Sequence, residues 1–342
     1  MSDMPLALVG ADTFTGEAIL NLLSEAGVKA EQVVALSDEA SDDASVQLGG
    51  QTLPVMNLDR YAFSAGQLVI CAENAALAEA TIAKAGSAGA MVIDATAFSR
   101  SQEYLSLIHP DMNPEALMNL QQQGVVAVPG DIAVSVVPVL RALKQLGGVG
   151  RVDLSCLLSV SSAGKDGVSE LATQTSRLLN GLPAEHSTFA DQVAFNILPG
   201  AAPATSGVDS AAREINALLS DGSYQDESSL PVHINSVVAP VFYGQTIHLS
   251  VSMDWEVSVA EVMDVLEGDP SLLLSYDPEE MMSPVSLANA EDGQKNRIQV
   301  CGMNVSENQG YVLNMWLVTD NARVGSSSAV VQLYRKLIAD FL

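Results

Sequence analysis

The chain has 342 residues, of which 48% are hydrophobic and only 16% are charged. This composition excludes a disordered chain, because the apolar share is large enough to build buried cores, and the length favours two domains. The 41 acidic residues outnumber the 15 basic ones, so the formal net charge is −26. A surface of that sign repels phosphate backbones and anionic lipid, so we expect neither nucleic acid nor a membrane as a partner.

The N-terminal residues and the cysteines both favour a cytoplasmic protein. An apolar strand is predicted to begin by Pro5, which leaves no segment for a signal peptide, and no stretch reaches the length of a membrane span. The three cysteines, Cys71, Cys156 and Cys301, are widely spaced, which fits reduced thiols better than disulfides. The histidines also stand far apart, so the sequence predicts no metal site.

In the first third of the chain, short apolar runs alternate with segments of helical spacing. Uninterrupted apolar runs are typical of parallel strands whose two faces are both covered by helices. The sequence therefore predicts a doubly wound, dinucleotide-binding α/β domain over residues 1–130. The predicted strands are 6–9, 33–36, 68–71 and 91–94, and the predicted helices are 16–25 and 75–85.

Beyond this domain the pattern becomes that of an α+β fold. A helix is predicted over 134–146, interrupted or bent at Pro138. The segments that follow favour a mostly antiparallel sheet with helices on one face. We assign 131–322 to this second domain and 323–342 to a C-terminal helix that returns to the first. The predicted strands are 154–160, 234–240, 246–253 and 312–319, the further helices are 169–179, 259–266 and 326–342, and the surface loops are 221–229 and 289–295.

A glycine-containing turn, Gly10-Ala11-Asp12-Thr13-Phe14-Thr15-Gly16, lies between the first strand and the first helix. A dinucleotide fingerprint occurs at this place in such folds. Thr13 stands where a glycine would let a pyrophosphate approach, and Asp12 adds negative charge or caps the helix itself. Two interpretations stay open: a retained cofactor site at Gly10, Asp12, Thr13 and Gly16, or a turn that only packs the helix on the sheet.

The end of the second strand bears on which cofactor would bind. Asp38 and Glu39 follow that strand, and no basic residue is near them. An acid in this region commonly bonds the ribose 2′-hydroxyl of NAD, whereas the 2′-phosphate of NADP calls for Arg or Lys. If a dinucleotide binds, we therefore expect NAD rather than NADP. The alternative is that both acids belong to a solvated loop.

Five short motifs follow one another along nearly the whole chain. They are Val92-Ile93-Asp94 with Ala97-Phe98, Val160-Ser161-Ser162-Ala163-Gly164, Ala194-Phe195-Asn196-Ile197-Leu198-Pro199, Ala239-Pro240-Val241-Phe242-Tyr243-Gly244 and Thr319-Asp320-Asn321-Ala322-Arg323-Val324-Gly325. Their order and spacing resemble those of the aspartate-semialdehyde dehydrogenase family. The resemblance implies a dinucleotide-binding domain, an inserted dimerisation domain and a homodimer formed by the sheets of the second domain.

The resemblance also implies a catalytic cysteine at a helix N-terminus and a histidine that works as acid and base. This chain has Asp131 at the first position, within Val128-Pro129-Gly130-Asp131, and Gln245 at the second. A thiolate attacks an aldehyde and leaves a thioester that phosphate can cleave, whereas a carboxylate is a weak nucleophile. An amide cannot shuttle a proton near neutral pH. We expect Asp131 to cap a helix, and His248 to face away from Gln245.

The positions that would hold substrate are also replaced. The family's phosphate-holding Arg aligns with Ser99, next to Arg100, and its carboxylate-binding Arg aligns more loosely with Asn216. The cysteines of this chain are expected to behave as buried hydrophobes rather than nucleophiles. Ala127-Val128-Pro129 and Ser162-Ala163-Gly164-Lys165 resemble the Usg-type branch of the family, whose members keep the fold and lack the nucleophile.

Two functions follow from these replacements. The first is a homologue without phosphorylating dehydrogenase activity, acting through nucleotide binding, a dimer or a protein partner that the sequence does not identify. The alternative is an active NAD(P)-dependent semialdehyde oxidoreductase of aspartate-family amino-acid biosynthesis. In that case Asp131 would act as base for a hydrated aldehyde and give a free acid without phosphate. Nicotinamide binding discriminates between the two.

Overall fold

The computed structural model describes residues 5–72, 74–118, 123–203, 206–220, 229–276, 282–306 and 311–341. The chain divides into two compact units. The first comprises Met1–Gly130, Ser220–Tyr224 and Gly325–Leu342, and the second comprises Asp131–Leu219 and Gln225–Val324. One unit carries a largely parallel sheet and the other a mostly antiparallel sheet, which confirms the predicted fold class.

In the first unit, strands alternate with helices. The strands are β1 (Leu6–Val9), β2 (Val33–Ser37), β3 (Ser45–Leu48), β4 (Gln51–Asn57), β5 (Leu68–Cys71), β6 (Met91–Asp94) and β7 (Val125–Ala127). The helices are α1 (Phe14–Glu25), α2 (Ala75–Ser87), α3 (Ala97–Arg100) and α10 (Ser326–Phe341). The sheet order is β3-β4-β2-β1-β5-β6-β7. Every neighbouring pair is parallel except β3 and β4.

Neighbouring residues of β1 show that both faces of this sheet are buried. Leu8 belongs to a buried cluster that includes Ile19 of α1 and Leu333 of α10. Val9 belongs to a second cluster, which includes Ala78 of α2. Because both faces pack against apolar side chains, every residue of the strand is apolar, as the sequence predicted.

The hairpin of β3 and β4 was not predicted. Its strands alternate exposed with buried residues, among them Val46 and Leu53. The turn consists of Gly49 and Gly50, which have φ angles of +56° and +81°. Two successive positive φ angles fit the two-residue turns that connect antiparallel strands, and glycine adopts them without strain.

The second unit contains the other sheet. Its strands are β8 (Val149–Leu158), β9 (Leu198–Pro199), β10 (Val232–Val238), β11 (Gln245–Met253), β12 (Leu272–Leu274), β13 (Ile298–Ser306) and β14 (Val312–Thr319), and its helices are α4 (Asp131–Leu143), α5 (Gly164–Leu179), α6 (Val208–Ser220), α7 (Val259–Glu267), α8 (Pro284–Ala288) and α9 (Asp292–Lys295). The order is β12-β13-β14-β11-β8-β10-β9. The pairs β8–β10 and β12–β13 are parallel, and the others are antiparallel.

Several local predictions for this unit need correction. Helix α4 starts at Asp131 and runs through Pro138 without interruption, since almost all of its side chains are buried and packing holds it. Strand β13 was not predicted. The predicted loop at 289–295 contains the short helix α9. The predicted loop at 221–229 lies outside the described residues, apart from its last position.

The alternating burial along strand β11 shows that one face of the second sheet is buried and the other is partly exposed. Gln245 and every second residue after it are buried, whereas the residues between them, such as His248, are half-exposed. The imidazole of His248 lies 4.8 Å from the ring of Trp316 on the neighbouring strand β14, measured between ring centroids.

Within the described part of the chain, no helix is both long enough and apolar enough to span a bilayer.

Candidate functional site

The turn between β1 and α1 is held by backbone contacts that require glycine. The N–H groups of Gly10 and Ala11 both donate to the carbonyl of Leu36, at 2.8 and 3.1 Å. A Cβ atom on Gly16 would lie 1.9 Å from the carbonyl oxygen of Gly10. Packing alone therefore explains why glycine occupies position 16, because any side chain there would push α1 away from β1.

Thr13 is the N-cap of α1, and its hydroxyl bonds backbone on both sides of the turn. The Oγ1 atom accepts from the N–H of Gly16 at 2.9 Å. As a donor, the hydroxyl has two carbonyl oxygens within hydrogen-bond distance, that of Gly10 at 2.8 Å and that of Ala72 at 3.0 Å. The Gly16 N–H, one of the groups that would face a phosphate at a helix N-terminus, is thus already bonded.

The acidic residues predicted at this edge lie close to the surface. Asp12 and Asp38 are both half-buried, and Glu39 is exposed. The main-chain carbonyl of Asp38 accepts from Nδ2 of Asn57 at 3.3 Å. Residues 37–43 contain no Lys or Arg, and the preference for NAD over NADP stays a prediction from the sequence.

Ser99 and Arg100, two predicted substrate residues, lie in the short helix α3, and Asp94 bonds the backbone at its start. The buried Asp94 carboxylate accepts from the N–H and hydroxyl of Thr96, both at 2.9 Å, and from the N–H of Ser99 at 3.1 Å. Burial raises the pKa of Asp94, although these hydrogen bonds and the charge of Arg100 oppose the rise. Arg100 is itself buried, and its Nη1 donates to the carbonyl of Ala95 at 2.8 Å.

In the second unit the structure brings Asp131 and Gln245 together. Asp131 is the first residue of α4 and is half-buried, and Gln245 is the first residue of β11 and is buried. The Nε2 atom of Gln245 donates to the Oγ of Ser135 at 3.0 Å and lies 3.4 Å from the main-chain carbonyl of Asp131. Ser135 Oγ in turn donates to that same carbonyl at 2.7 Å. The Gln245 amide is therefore bonded to the first turn of α4.

A second amide fixes the turn that precedes Gln245. Gly244 has a φ angle of +86°, and its N–H donates to Oδ1 of the buried Asn321 at 2.8 Å. The Nδ2 atom of Asn321 donates to the Oγ of Ser161 at 3.0 Å. Three of the five sequence motifs thus meet at Asn321. Its motif was recognised without a role for this side chain, and nothing in the sequence pointed to Ser135.

Asn216, the third predicted substrate residue, bonds main chain. Its Nδ2 donates to the carbonyls of Ala212 and Leu230, each at 3.0 Å, and its Oδ1 accepts from the N–H of Leu230 at 2.7 Å. These bonds join α6 to the segment that leads into β10. The contacts described for the Asn216 amide therefore stabilise the fold at the end of α6.

The three cysteines all lie within strands of the two sheets. Cys156 lies within β8, and burial raises the pKa of its thiol to about 12, so it carries no thiolate at neutral pH. Cys71 is buried in β5, and Cys301 is half-buried in β13. In the residues that the structure describes, no three His, Cys, Asp or Glu side chains gather in a way that could hold a metal ion.

Comparison with known proteins places the chain in a family. A model described as semialdehyde dehydrogenase, NAD binding domain, matches residues 5–120, and one described as semialdehyde dehydrogenase, dimerisation domain, matches residues 140–324. The chain is 28% identical to aspartate-semialdehyde dehydrogenase 2 of Vibrio cholerae over 98% of both chains. It is 29% identical to a USG-1 protein homolog of Azotobacter vinelandii over 97% of both. The chain therefore belongs to the semialdehyde dehydrogenase family.

Within that family, the predicted resemblance to aspartate-semialdehyde dehydrogenases is confirmed. A crystal structure of aspartate semialdehyde dehydrogenase II from Vibrio cholerae, complexed with ASA, matches the full length of both chains at 27% identity and a TM-score of 0.86. The relatives include both enzymes and the USG-1 homolog, so the particular branch stays a prediction.

Proposed function

We propose that this chain is an aspartate-semialdehyde dehydrogenase homologue without phosphorylating dehydrogenase activity. The observation that carries the proposal is the pair formed by Asp131 and Gln245. These residues stand where the resemblance implies a thiolate and an imidazole, and they share one hydrogen-bonded turn.

The chemistry of this pair explains the loss. A carboxylate at position 131 is a poor nucleophile toward an aldehyde, and oxidation of its adduct would have to give a mixed anhydride instead of a thioester. The Gln245 amide carries no proton that titrates near neutral pH, so it cannot serve as general acid or base. Its hydrogen bonds to Ser135 and Asp131 instead give it a structural role at the start of α4.

The same proposal covers assembly, cofactor preference and location. The half-exposed face of β11, with His248 packed beside Trp316, supports a homodimer through the second sheet. Asp38 favours NAD over NADP for any dinucleotide that the first domain accommodates. The wide spacing of the three cysteines along the chain supports a reducing, cytoplasmic location.

The alternative is an active semialdehyde oxidoreductase, and the enzyme names of the relatives favour it. In that reaction Asp131, as base, would activate a hydrated aldehyde for hydride transfer. The alternative predicts product formation without phosphate. The main proposal predicts no product under either condition.

The test is an assay of the purified full chain with aspartate semialdehyde. NAD or NADP is supplied, with and without phosphate, and absorbance of the reduced nicotinamide is followed. The Vibrio cholerae relative serves as positive control, and the Asp131→Ala variant defines the background. We expect the chain and Asp131→Ala to give the same rate. Turnover that Asp131→Ala abolishes would refute the proposal, and its dependence on phosphate would show which reaction occurs.

A further inference from the structure

The Thr13 hydroxyl sits at the point of the first sheet where the chain order reverses. Strand β1 lies between β2 and β5, and Gly10 and Ala72 follow the carboxyl ends of β1 and β5. Thr13 Oγ1 lies within 3.0 Å of the carbonyl oxygens of both. In open α/β sheets a dinucleotide crosses this crevice, and its pyrophosphate rests on the N–H groups at the start of the adjacent helix.

We propose that Thr13 closes this crevice, so that the first domain binds neither NAD nor NADP although it matches an NAD-binding family model. The hydroxyl already takes the Gly16 N–H and spans the gap between the two strand ends. This inference concerns the cofactor and stands on the first unit alone, so it does not depend on Asp131.

A change of rotamer is opposed by the bonds that the hydroxyl makes. Threonine carries two heavy atoms on Cβ, so one of its two other staggered rotamers places the methyl group where the hydroxyl lies. The remaining rotamer clears that space, but either rotation breaks the N-cap bond to Gly16. A glycine at this position would leave both the space and the N–H free.

The charge around the turn acts in the same direction. Asp12 is half-buried next to Thr13, and Glu17 lies in the first turn of α1. Residues 5–28 contain no Lys or Arg. The negative charges oppose a pyrophosphate, and no nearby cation along this segment offsets them.

The glycines that remain do not argue for a cofactor. Gly16 is required by its contact with the Gly10 carbonyl, and Gly10 itself has a φ angle of +77°. Both therefore belong to the packing of α1 on β1, with or without a ligand. The remaining glycine pattern is a property of the fold.

Binding is measured by titration calorimetry of the full-length chain with NAD and with NADP. The variants are Thr13→Gly, Thr13→Ala and Thr13→Ser, the last of which keeps the hydroxyl cap. We expect the unmodified chain and Thr13→Ser to show a Kd above about 1 mM, and Thr13→Gly to bind NAD roughly tenfold more tightly or better. Thr13→Ala should fall between them, because it keeps Cβ and loses both branches. In Thr13→Gly we expect NAD to bind better than NADP.

A micromolar Kd for either nucleotide in the unmodified chain would overturn the inference. So would a Thr13→Gly or Thr13→Ala variant that keeps the far-UV circular dichroism of the parent and gains no binding. Thr13→Ala serves if Thr13→Gly does not fold. Failure of this inference is distinguishable from failure of the proposed function, because one is read by binding and the other by turnover of semialdehyde.

Discussion

The starts of α1 and α4 are each held by a side chain, but the two side chains come from different distances along the chain. A helix N-terminus presents backbone N–H groups, and at α1 the Thr13 hydroxyl accepts from one of them, that of Gly16, three residues further on. At α4 the side chain is a donor: Nε2 of Gln245 donates to Ser135 and lies 3.4 Å from the main-chain carbonyl of Asp131, which is 114 positions away. The first device is local, and the second depends on the completed sheet.

The residues at the two helix starts also fall into two groups, those that shape the backbone and those at positions where the family carries out its chemistry. The glycines and amides that shape the two turns, such as Gly16 and Asn321, have contacts that hold the backbone of this chain in place. Thr13, Asp131 and Gln245 occupy positions where the family resemblance implies cofactor or catalytic groups. Substitution of the first set should therefore lower stability by amounts that the contacts predict.

The largest loss of stability is expected for Gly16→Ala. The new Cβ would lie 1.9 Å from the Gly10 carbonyl oxygen, which is backbone and cannot rotate away. Helix α1 must then shift from β1, and we expect the free energy of unfolding to fall by about 3 kcal/mol or more. The melting temperature of the first domain, followed by circular dichroism, measures this effect.

Gly86→Ala is the matched control. Gly86 lies in α2, near its C-terminal end, and a Cβ there would meet no atom within 4 Å beyond its chain neighbours and the backbone of its own helix. In a helix alanine is favoured over glycine, so this variant should be unchanged or more stable by up to about 1 kcal/mol. Equal losses in both variants would mean that the contact with Gly10 is not what requires glycine at position 16.

The distance along the chain between bonded residues also explains which features could be predicted from the sequence. Strands β1, β2, β5 and β6 were predicted because continuous apolar runs are local signals. The turn at Gly10 was recognised for the same reason. The bond from Gln245 to Ser135 was not, because it joins residues 110 positions apart and depends on the packing of β11 against α4.

Two missed elements show different limits. The hairpin at Gly49 and Gly50 carried a usable signal, since an alternating pattern flanks two glycines. Strand β13 carried a weaker one, because Gly302 interrupts it where its register with β14 shifts. The strand-favouring segments predicted the antiparallel sheet as a whole, but only the structure could show that Asn321 joins three motifs.

A smaller loss is expected for Asn321→Ala, which tests the long-range turn. The variant leaves the Gly244 N–H without its acceptor in a buried place, and Ser161 loses its donor. An unsatisfied buried group of this kind lowers stability by about 1–3 kcal/mol. Thermal unfolding followed by tryptophan fluorescence measures it.

The control for this variant is Asn304→Ala. Asn304 is exposed on β13, and its amide makes only long hydrogen bonds, of 3.3 and 3.5 Å. Its loss should change stability by no more than about 0.5 kcal/mol. If Asn321→Ala were as stable as Asn304→Ala, the bond to Gly244 would not be what holds the turn before Gln245.

The third and smallest expected effect is a pH-dependent change in stability that comes from Glu170. Glu170 of α5 is buried, and its Oε2 accepts from the N–H groups of Thr188 at 2.5 Å and Ser187 at 2.9 Å. Burial by itself would raise the pKa of Glu170, but these bonds together lower it below its usual 4.5. The ionised carboxylate therefore stabilises the fold above about pH 4.5, and this contribution is lost as pH falls through the lowered pKa.

Glu170→Gln should accordingly lower the melting temperature at pH 7, by the equivalent of about 1–2 kcal/mol, and the difference should shrink as pH falls below 4.5. Glu256→Gln, at an exposed position of the same unit, controls for the change in net charge. A difference between Glu170→Gln and the parent that stayed constant from pH 7 to pH 3 would show that the charge of Glu170 is not what holds the segment at Ser187.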